Sequence, residues 1–161
     1  MASSLRIEFI MPFVESTKET FATMLSTEVH RRQVYIKPDY AMYGDVSGII
    51  GLAGPTTGTC ALSLPATLAG RLIRATVLEP EGEALSDSDV KDGVGELINR
   101  IAGGAKKRLS KTPYKFNITL PTIISGGHHE VFHPTGAYCV VILFQSSNGP
   151  EFTLDVCVSQ K

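Results

Sequence analysis

The sequence has no run of apolar residues near the roughly 18 that a membrane-spanning helix needs, and its first residues lack the basic start, apolar core and cleavage site of a signal peptide. It also has no excess of either charge, because 15 basic and 16 acidic residues leave a net charge of -1 at pH 7. That balance provides no field to attract nucleic acid or an anionic membrane. We therefore expect a cytoplasmic protein that binds neither, and that meets a charged partner through a local patch.

Cysteine is scarce. The three residues, Cys60, Cys139 and Cys157, lie in apolar, strand-like stretches and form no CxxC pair. That spacing argues against a disulfide framework and against a zinc site. We expect buried, reduced thiols at all three positions.

The chain has 161 residues, of which 43% are hydrophobic, and we expect a single domain over residues 1–161. An irregular apolar stripe predicts a first helix over residues 12–29. Two β-rich runs, 46–52 and 59–64, flank the turn signal AGPTTG and predict a hairpin. A second helical pattern follows Pro65, and its apolar face consists of Leu68, Leu72, Ile73 and Val77.

An acidic, turn-rich linker over residues 79–89 leads to a third helix, with Ser86 or Ser88 as its N-cap. Three β-type runs then follow, at 115–125, 137–146 and 152–158, and the turn signals GG, HPTG and SSNGP separate them. The order of elements predicts an α+β fold. It consists of two degenerate halves, each a helix followed by antiparallel strands, that share one sheet packed by the long helices.

The third helix contains the stretch VGELINRIAGGAKKRL, which is amphipathic although glycines stand at positions 93, 95, 103 and 104. A helical wheel places five residues on the buried face and Ile98 at its edge; the five are Val90, Val94, Leu97, Ile101 and Ala105. Glu96 and Asn99 point outward together, about 60° apart. Each helical glycine costs roughly 0.5 to 1 kcal/mol relative to alanine, so the glycines need an explanation.

Asp92 and Gly103 share the outward sector, and Gly95 borders it. Because a glycine has no side chain, Gly95 and Gly103 would let a partner approach the helix closely around Asn99. The alternative is that Gly103 or Gly104 ends the helix as a C-cap, with Glu96 and Asn99 an ordinary solvated pair.

The segment GELINRIAGGAKK resembles the ExxN helix motif of the CheC/CheX/FliY chemotaxis phosphatases, with Glu96 and Asn99 in the motif positions. Three further segments resemble the CheX-like members: MPFVEST, GDVSGIIGLAGPTTGTCALSLP and LPTIISGGHHEV. A single ExxN of this type is also similar to CheX and unlike CheC, which carries two. The resemblance implies a CheC-like fold and a homodimer that pairs through strand edges.

The resemblance further implies a phosphatase, a hydrolase that acts on the phospho-aspartyl form of CheY or a related response-regulator receiver domain in two-component signalling. Asn99, which cannot titrate, would orient the attacking water, and Glu96 would anchor a lysine of the receiver. The receiver brings its own Mg²⁺, so we expect no metal or cofactor from this chain.

Other interpretations stay open from the residues. The helix is also compatible with a binding module that docks on a receiver domain or another signalling partner without hydrolysis. The stretch GGHHEVFHPTG offers metal donors at His128, His129, Glu130 and His133, but a strand would hold His129 and His133 about 13 Å apart.

The glycines at 44, 48, 51, 54 and 58 lack the GK[ST] ending of a P-loop and fit strand bends and turns better. No local motif links serine, cysteine, histidine and aspartate into a nucleophilic site. The basic end of the third helix suits the helix dipole and could equally assist an acidic partner; it consists of Lys106, Lys107, Arg108 and Lys111.

Overall fold

In the computed structural model, which describes residues 2–37, 41–74, 86–132, 137–147 and 149–159, three helices pack against an antiparallel sheet. The helices are α1 (Ala2–Leu25), α2 (Ala66–Arg74) and α3 (Asp87–Leu109). The strands are β1 (Val29–Lys37), β2 (Ala41–Ala53), β3 (Gly58–Leu64), β4 (Asn117–Ile118), β5 (Thr122–Phe132), β6 (Ala137–Ser146) and β7 (Glu151–Ser159). Along these stretches, no helix has the length and hydropathy that crossing a bilayer requires.

The strands form one seven-stranded sheet within the described part of the chain, in the order β1-β6-β7-β3-β2-β4, and β5 also pairs with β2. Its neighbouring strands run antiparallel. Each half contributes a long helix followed by strands: α1 precedes β1 to β3, and α3 precedes β4 to β7. Strands of the two halves interleave, which confirms the prediction of an α+β fold whose halves share one sheet.

Helix α3 is defined at both ends by local hydrogen bonds. At its start, the backbone N–H of Asp89 donates to Ser86 Oγ at 3.1 Å, and the N–H of Ser86 donates to Asp89 Oδ2 at 3.2 Å. This capping box confirms Ser86 as the N-cap. The helix then continues unbroken to Leu109. The alternative that Gly103 or Gly104 ends it as a C-cap is therefore wrong.

The predicted apolar face of α3 is buried against the sheet and α1. Seven of its residues are buried: Val94, Leu97, Ile98, Ile101, Ala102, Ala105 and Leu109. Gly48 of β2 lets the helix lie close to the sheet, because a Cβ there would stand 3.1 Å from Ile98 Cγ2 and 3.2 Å from Val94 Cγ1. On the other flank, Ser16 Oγ of α1 donates to the carbonyl of Ile101 at 2.6 Å. These contacts fix α3 on both sides.

The first helix differs from the prediction at both ends. It begins ahead of Pro12 and ends at Leu25, and Val29 opens β1 instead of closing the helix. Ser26 adopts a positive φ of 48°, which is incompatible with continued α-helix. The segment after it pairs along β6 as β1.

The run at 115–125 forms two strands and not one, since β4 ends at Ile118 and β5 begins after Pro121. The GG signal also lies inside β5. Gly126 has a φ of +137°, and the pairing of β2 with β5 shifts register between Gly44 and Val46, so the glycines form an irregularity in the strand and not a turn. The predicted turn HPTG and Val77 lie outside the described residues.

The thiol prediction is correct for one cysteine and wrong for two. Cys60 is free and buried, whereas Cys139 and Cys157 are joined by a disulfide. These two residues are direct partners in the pairing of β6 with β7, with Cα atoms 4.1 Å apart. Strand register therefore brings together two cysteines that are 18 positions apart in the sequence.

Candidate functional site

The outer face of α3 presents the side chains that the helical wheel placed there. Glu96 and Asn99 are both exposed, as is Asp92 one turn earlier. Gly95 and Gly103 are partly exposed. Because the buried face is packed along the whole helix, these polar residues are held in one orientation towards solvent. The structure thus brings together all five residues of the predicted site.

The glycines of α3 have different surroundings. A Cβ at Gly103 would meet nothing within 4 Å, whereas a Cβ at Gly104 would collide with Ser16 Oγ. At Gly95 a Cβ would lie 3.5 Å from Ile123 Cδ1 and 3.9 Å from Pro121 Cγ, which are ordinary contacts. Gly104 therefore serves helix packing, while Gly103 leaves open space beside Asn99.

Glu96 has a partner that the sequence analysis did not identify. Arg100 Nε donates to Glu96 Oε1 at 2.7 Å, one helical turn further along α3. The Arg100 side chain is 57% exposed and the Glu96 side chain is 47% exposed. Pairs of this kind typically contribute about 0.3–0.5 kcal/mol to helix stability. The i,i+4 spacing of opposite charges was the signal in the sequence. The bond uses Oε1, and Oε2 of Glu96 has no hydrogen-bond donor among the residues that the structure describes.

A groove of about 800 Å³ lies next to Asn99, between α1 and α3. Arg108 and Glu19 form an ion pair between its two walls. The same stripe of α3 that carries Asn99 continues along the groove to Lys107. The lining residues are Ser16, Glu19, Thr20, Thr23, Asn99, Arg100, Gly103, Gly104, Lys107 and Arg108. The site is therefore an open, polar surface with a basic end and not an enclosed pocket.

The histidine-rich segment gives the metal hypothesis no support. His129 Nδ1 lies 2.9 Å from the carbonyl oxygen of Gly126, and Nε2 lies 2.7 Å from Ser47 Oγ. A carbonyl only accepts, so Nδ1 carries the hydrogen and Nε2 accepts from the serine hydroxyl. Both ring nitrogens are thus engaged. No three metal-ligating side chains cluster among the residues that the structure describes, which do not include the side chains of His128, Glu130 and His133.

This contact also creates a Ser–His pair for which the sequence offered no signal. Ser47 is fully buried and hydrogen-bonds to Ser63 as well as to His129. The three side chains come from β2, β3 and β5, so the chain of hydrogen bonds connects these strands internally. The glycines that resemble a phosphate loop are likewise structural: they lie in β2, in the turn after it and at the start of β3, so a strand and not a helix follows the last of them.

Comparison with known proteins identifies the family. Residues 46–145 match the model of the family described as chemotaxis phosphatase CheX. The chain belongs to the CheX family. The recognition from the ExxN helix and its companion segments is confirmed, and no curated protein matches the chain.

Solved structures agree with the family assignment. A CheX chemotaxis protein from Desulfovibrio desulfuricans is 30% identical with a TM-score of 0.83, and the match covers 94% of this chain and 99% of that one. CheX from Vibrio vulnificus is 31% identical with a TM-score of 0.82, at the same coverage of 94% and 99%.

A third structure, the CheX–CheY–BeF3–Mg²⁺ complex from Borrelia burgdorferi, is 22% identical with a TM-score of 0.75. Its match covers 94% of this chain and 98% of that one, and at this identity it supports the CheC-like fold alone.

Proposed function

We propose that this protein, as one domain over residues 1–161, hydrolyses the phospho-aspartyl group of CheY or a related receiver domain in the cytoplasm. The observation that carries the proposal is the paired exposure of Glu96 and Asn99 on a rigid helix, beside the open space at Gly103. The family is described as a chemotaxis phosphatase, and one structural relative was solved in complex with CheY.

The chemistry needs little from this chain. A water molecule attacks phosphorus in line, a new O–P bond forms, and the bond between phosphorus and the aspartyl oxygen breaks, so that the carboxylate leaves. The attacking water releases its proton to phosphate or solvent. Asn99 has an amide that remains neutral at every relevant pH, so it positions the water by hydrogen bonding and does not act as a general base. Mg²⁺ bound to the receiver would supply the neutralisation of phosphoryl charge.

Glu96 serves as the anchor for a lysine of the receiver. Its carboxylate is exposed, lies one turn from Asn99 and already accepts a hydrogen bond from Arg100 through one oxygen. A charge-assisted bond to the second oxygen would fix the depth at which the Asn99 side chain enters the receiver's site. Asp92, Gly95 and Gly103 then border the contact.

The decisive experiment measures phosphate release from phosphorylated receiver domains of the same organism. Asn99→Ala is expected to lower the stimulated rate about a hundredfold, equivalent to about 2.7 kcal/mol of transition-state stabilisation, with binding retained. Glu96→Ala and Glu96→Lys are expected to weaken binding and turnover together. Asn117→Ala changes an exposed asparagine on β4 and is the matched control.

Near-normal release from Asn99→Ala removes that residue from the mechanism, and unchanged affinity in the Glu96 variants removes the anchor. If the wild-type protein binds a phosphorylated receiver without accelerating phosphate release, the protein is instead a non-catalytic binding module.

We also propose that the protein is a homodimer paired through strand edges. Strand β1 lies at one edge of the sheet and pairs with β6 on its inner side. It carries two apolar side chains, Val34 and Ile36, that are 39% and 40% exposed. An exposed edge with apolar side chains favours pairing with another chain.

A further inference from the structure

Leu120 stands almost entirely in solvent. Its exposed fraction of 89% is the highest among the large hydrophobic side chains that the structure describes. It lies in the short connection between β4 and β5, where its side chain contributes nothing to the core cluster. When a partner covers a large apolar side chain of this kind, the removal of its surface from water favours binding.

The backbone around Leu120 is held in place. The N–H of Thr119 donates to the carbonyl of Gly51 at 3.0 Å, and the N–H of Gly51 donates to Thr119 Oγ1 at 2.8 Å. Thr119 Oγ1 also donates to the carbonyl of Leu120 at 3.2 Å. On the other side, Pro121 has a fixed φ. Because this backbone is already ordered, binding through Leu120 costs little further backbone entropy.

The position of Leu120 is next to the candidate site. Its neighbour Pro121 lies 3.9 Å from the place where a Cβ on Gly95 would be, and Ile123 lies 3.5 Å from it. Gly95 is one helical turn before Asn99. The connection that carries Leu120 therefore runs along one flank of α3. The groove between α1 and α3 lies on the other flank. A partner seated over Asn99 would therefore have the flank with Leu120 within reach.

We propose that Leu120 is a docking contact for the phosphorylated receiver domain. The inference rests on the proposed function and extends it by a residue outside the ExxN helix. Leu120 has no group that can take part in hydrolysis. It contributes affinity, and Asn99 contributes rate.

The test separates these two contributions. Leu120→Ala is compared with the wild-type protein in binding to a receiver loaded with Mg²⁺ and BeF3, and in steady-state phosphate release. We expect the Kd and KM to rise about tenfold, equivalent to about 1.4 kcal/mol, with kcat within about twofold of wild type. Leu120→Met keeps an apolar side chain of similar volume, and this variant is expected to bind the receiver about as tightly as the wild-type protein.

Ile7→Ala is the matched control, because Ile7 is a 67% exposed aliphatic residue on α1 that belongs to neither α3 nor the β4–β5 connection. An unchanged KM in Leu120→Ala, a fall in kcat alone, or an equal loss in Ile7→Ala would overturn the proposal. If wild type hydrolyses the receiver phosphate and Leu120→Ala binds as tightly, only this inference fails. If wild type binds no phosphorylated receiver, the inference and the proposed function fail together.

Discussion

Alanine substitution at two adjacent glycines of α3 is expected to change stability in opposite directions. At Gly103 a methyl group enters open space, so the variant gains the intrinsic helix preference of alanine, about 0.5–1 kcal/mol. At Gly104 the same methyl group collides with Ser16 Oγ and would lie 3.1 Å from Ser16 Cβ. Ser16 is 2% exposed, so its hydroxyl has little room to move.

The magnitude at Gly104 follows from what Ser16 loses. If its hydroxyl rotates away, the bond to the carbonyl of Ile101 is broken and a buried polar group loses its partner, at a cost of about 1–3 kcal/mol. If it stays, overpacking costs about 1–3 kcal/mol. With the middle of each range, a cost of about 2 kcal/mol and a gain of about 0.75 kcal/mol, Gly104→Ala is expected to be less stable by about 1 kcal/mol.

Thermal and denaturant unfolding check both values. For a protein of this size, about 1 kcal/mol shifts Tm by roughly 2–4 °C, so Gly103→Ala should melt about 1–4 °C higher and Gly104→Ala several degrees lower. A Gly104→Ala protein as stable as wild type would refute the packing argument. Receiver binding adds a second readout: if Gly103 provides clearance for the partner, Gly103→Ala binds more weakly although it is more stable. Unchanged affinity would show that the clearance role is wrong.

Two further predictions concern the cysteines and the assembly. Burial, and then the charge of Asp155, raise the pKa of the Cys60 thiol, so this thiol stays protonated and unreactive towards alkylation through pH 9 in the folded protein. The unfolded protein should show one reactive thiol before reduction and three after it, and three before reduction would contradict the disulfide between Cys139 and Cys157. Light scattering should give twice the mass of the 17.3 kDa chain, and a monomer mass would contradict edge pairing.

The sequence predicted most reliably where periodicity was strong and local. The apolar face of α3, its Ser86 cap and the β2–β3 hairpin all depend on residues that are near each other in the chain, and all three are confirmed. The first helix was misjudged because Pro12 suggests a helix start, although the helix passes through it. The disulfide depends on the register between β6 and β7, which no local pattern in the sequence specifies.

The site was predictable to the same extent. The helical wheel placed Glu96 and Asn99 outward because they lie on the side of α3 opposite its buried residues. The surroundings of the site come from elements distant in sequence. One wall of the groove belongs to α1, and the connection that carries Leu120 lies beside α3 because Pro121 and Ile123 pack near Gly95. Contacts between residues that are distant in the sequence depend on the fold, and no periodic pattern in the sequence predicts them.

The pair between Glu96 and Arg100 bears directly on whether Glu96 can serve as an anchor. It is exposed and therefore weak, at about 0.3–0.5 kcal/mol, whereas a charge-assisted bond that is partly removed from water at an interface is worth about 1.5–3 kcal/mol. In the proposed complex a receiver lysine would therefore outcompete Arg100 if both needed the same oxygen, and the two would coexist if the lysine took Oε2. In either case the pair holds the Glu96 carboxylate near the helix surface before binding, and it does not block the partner.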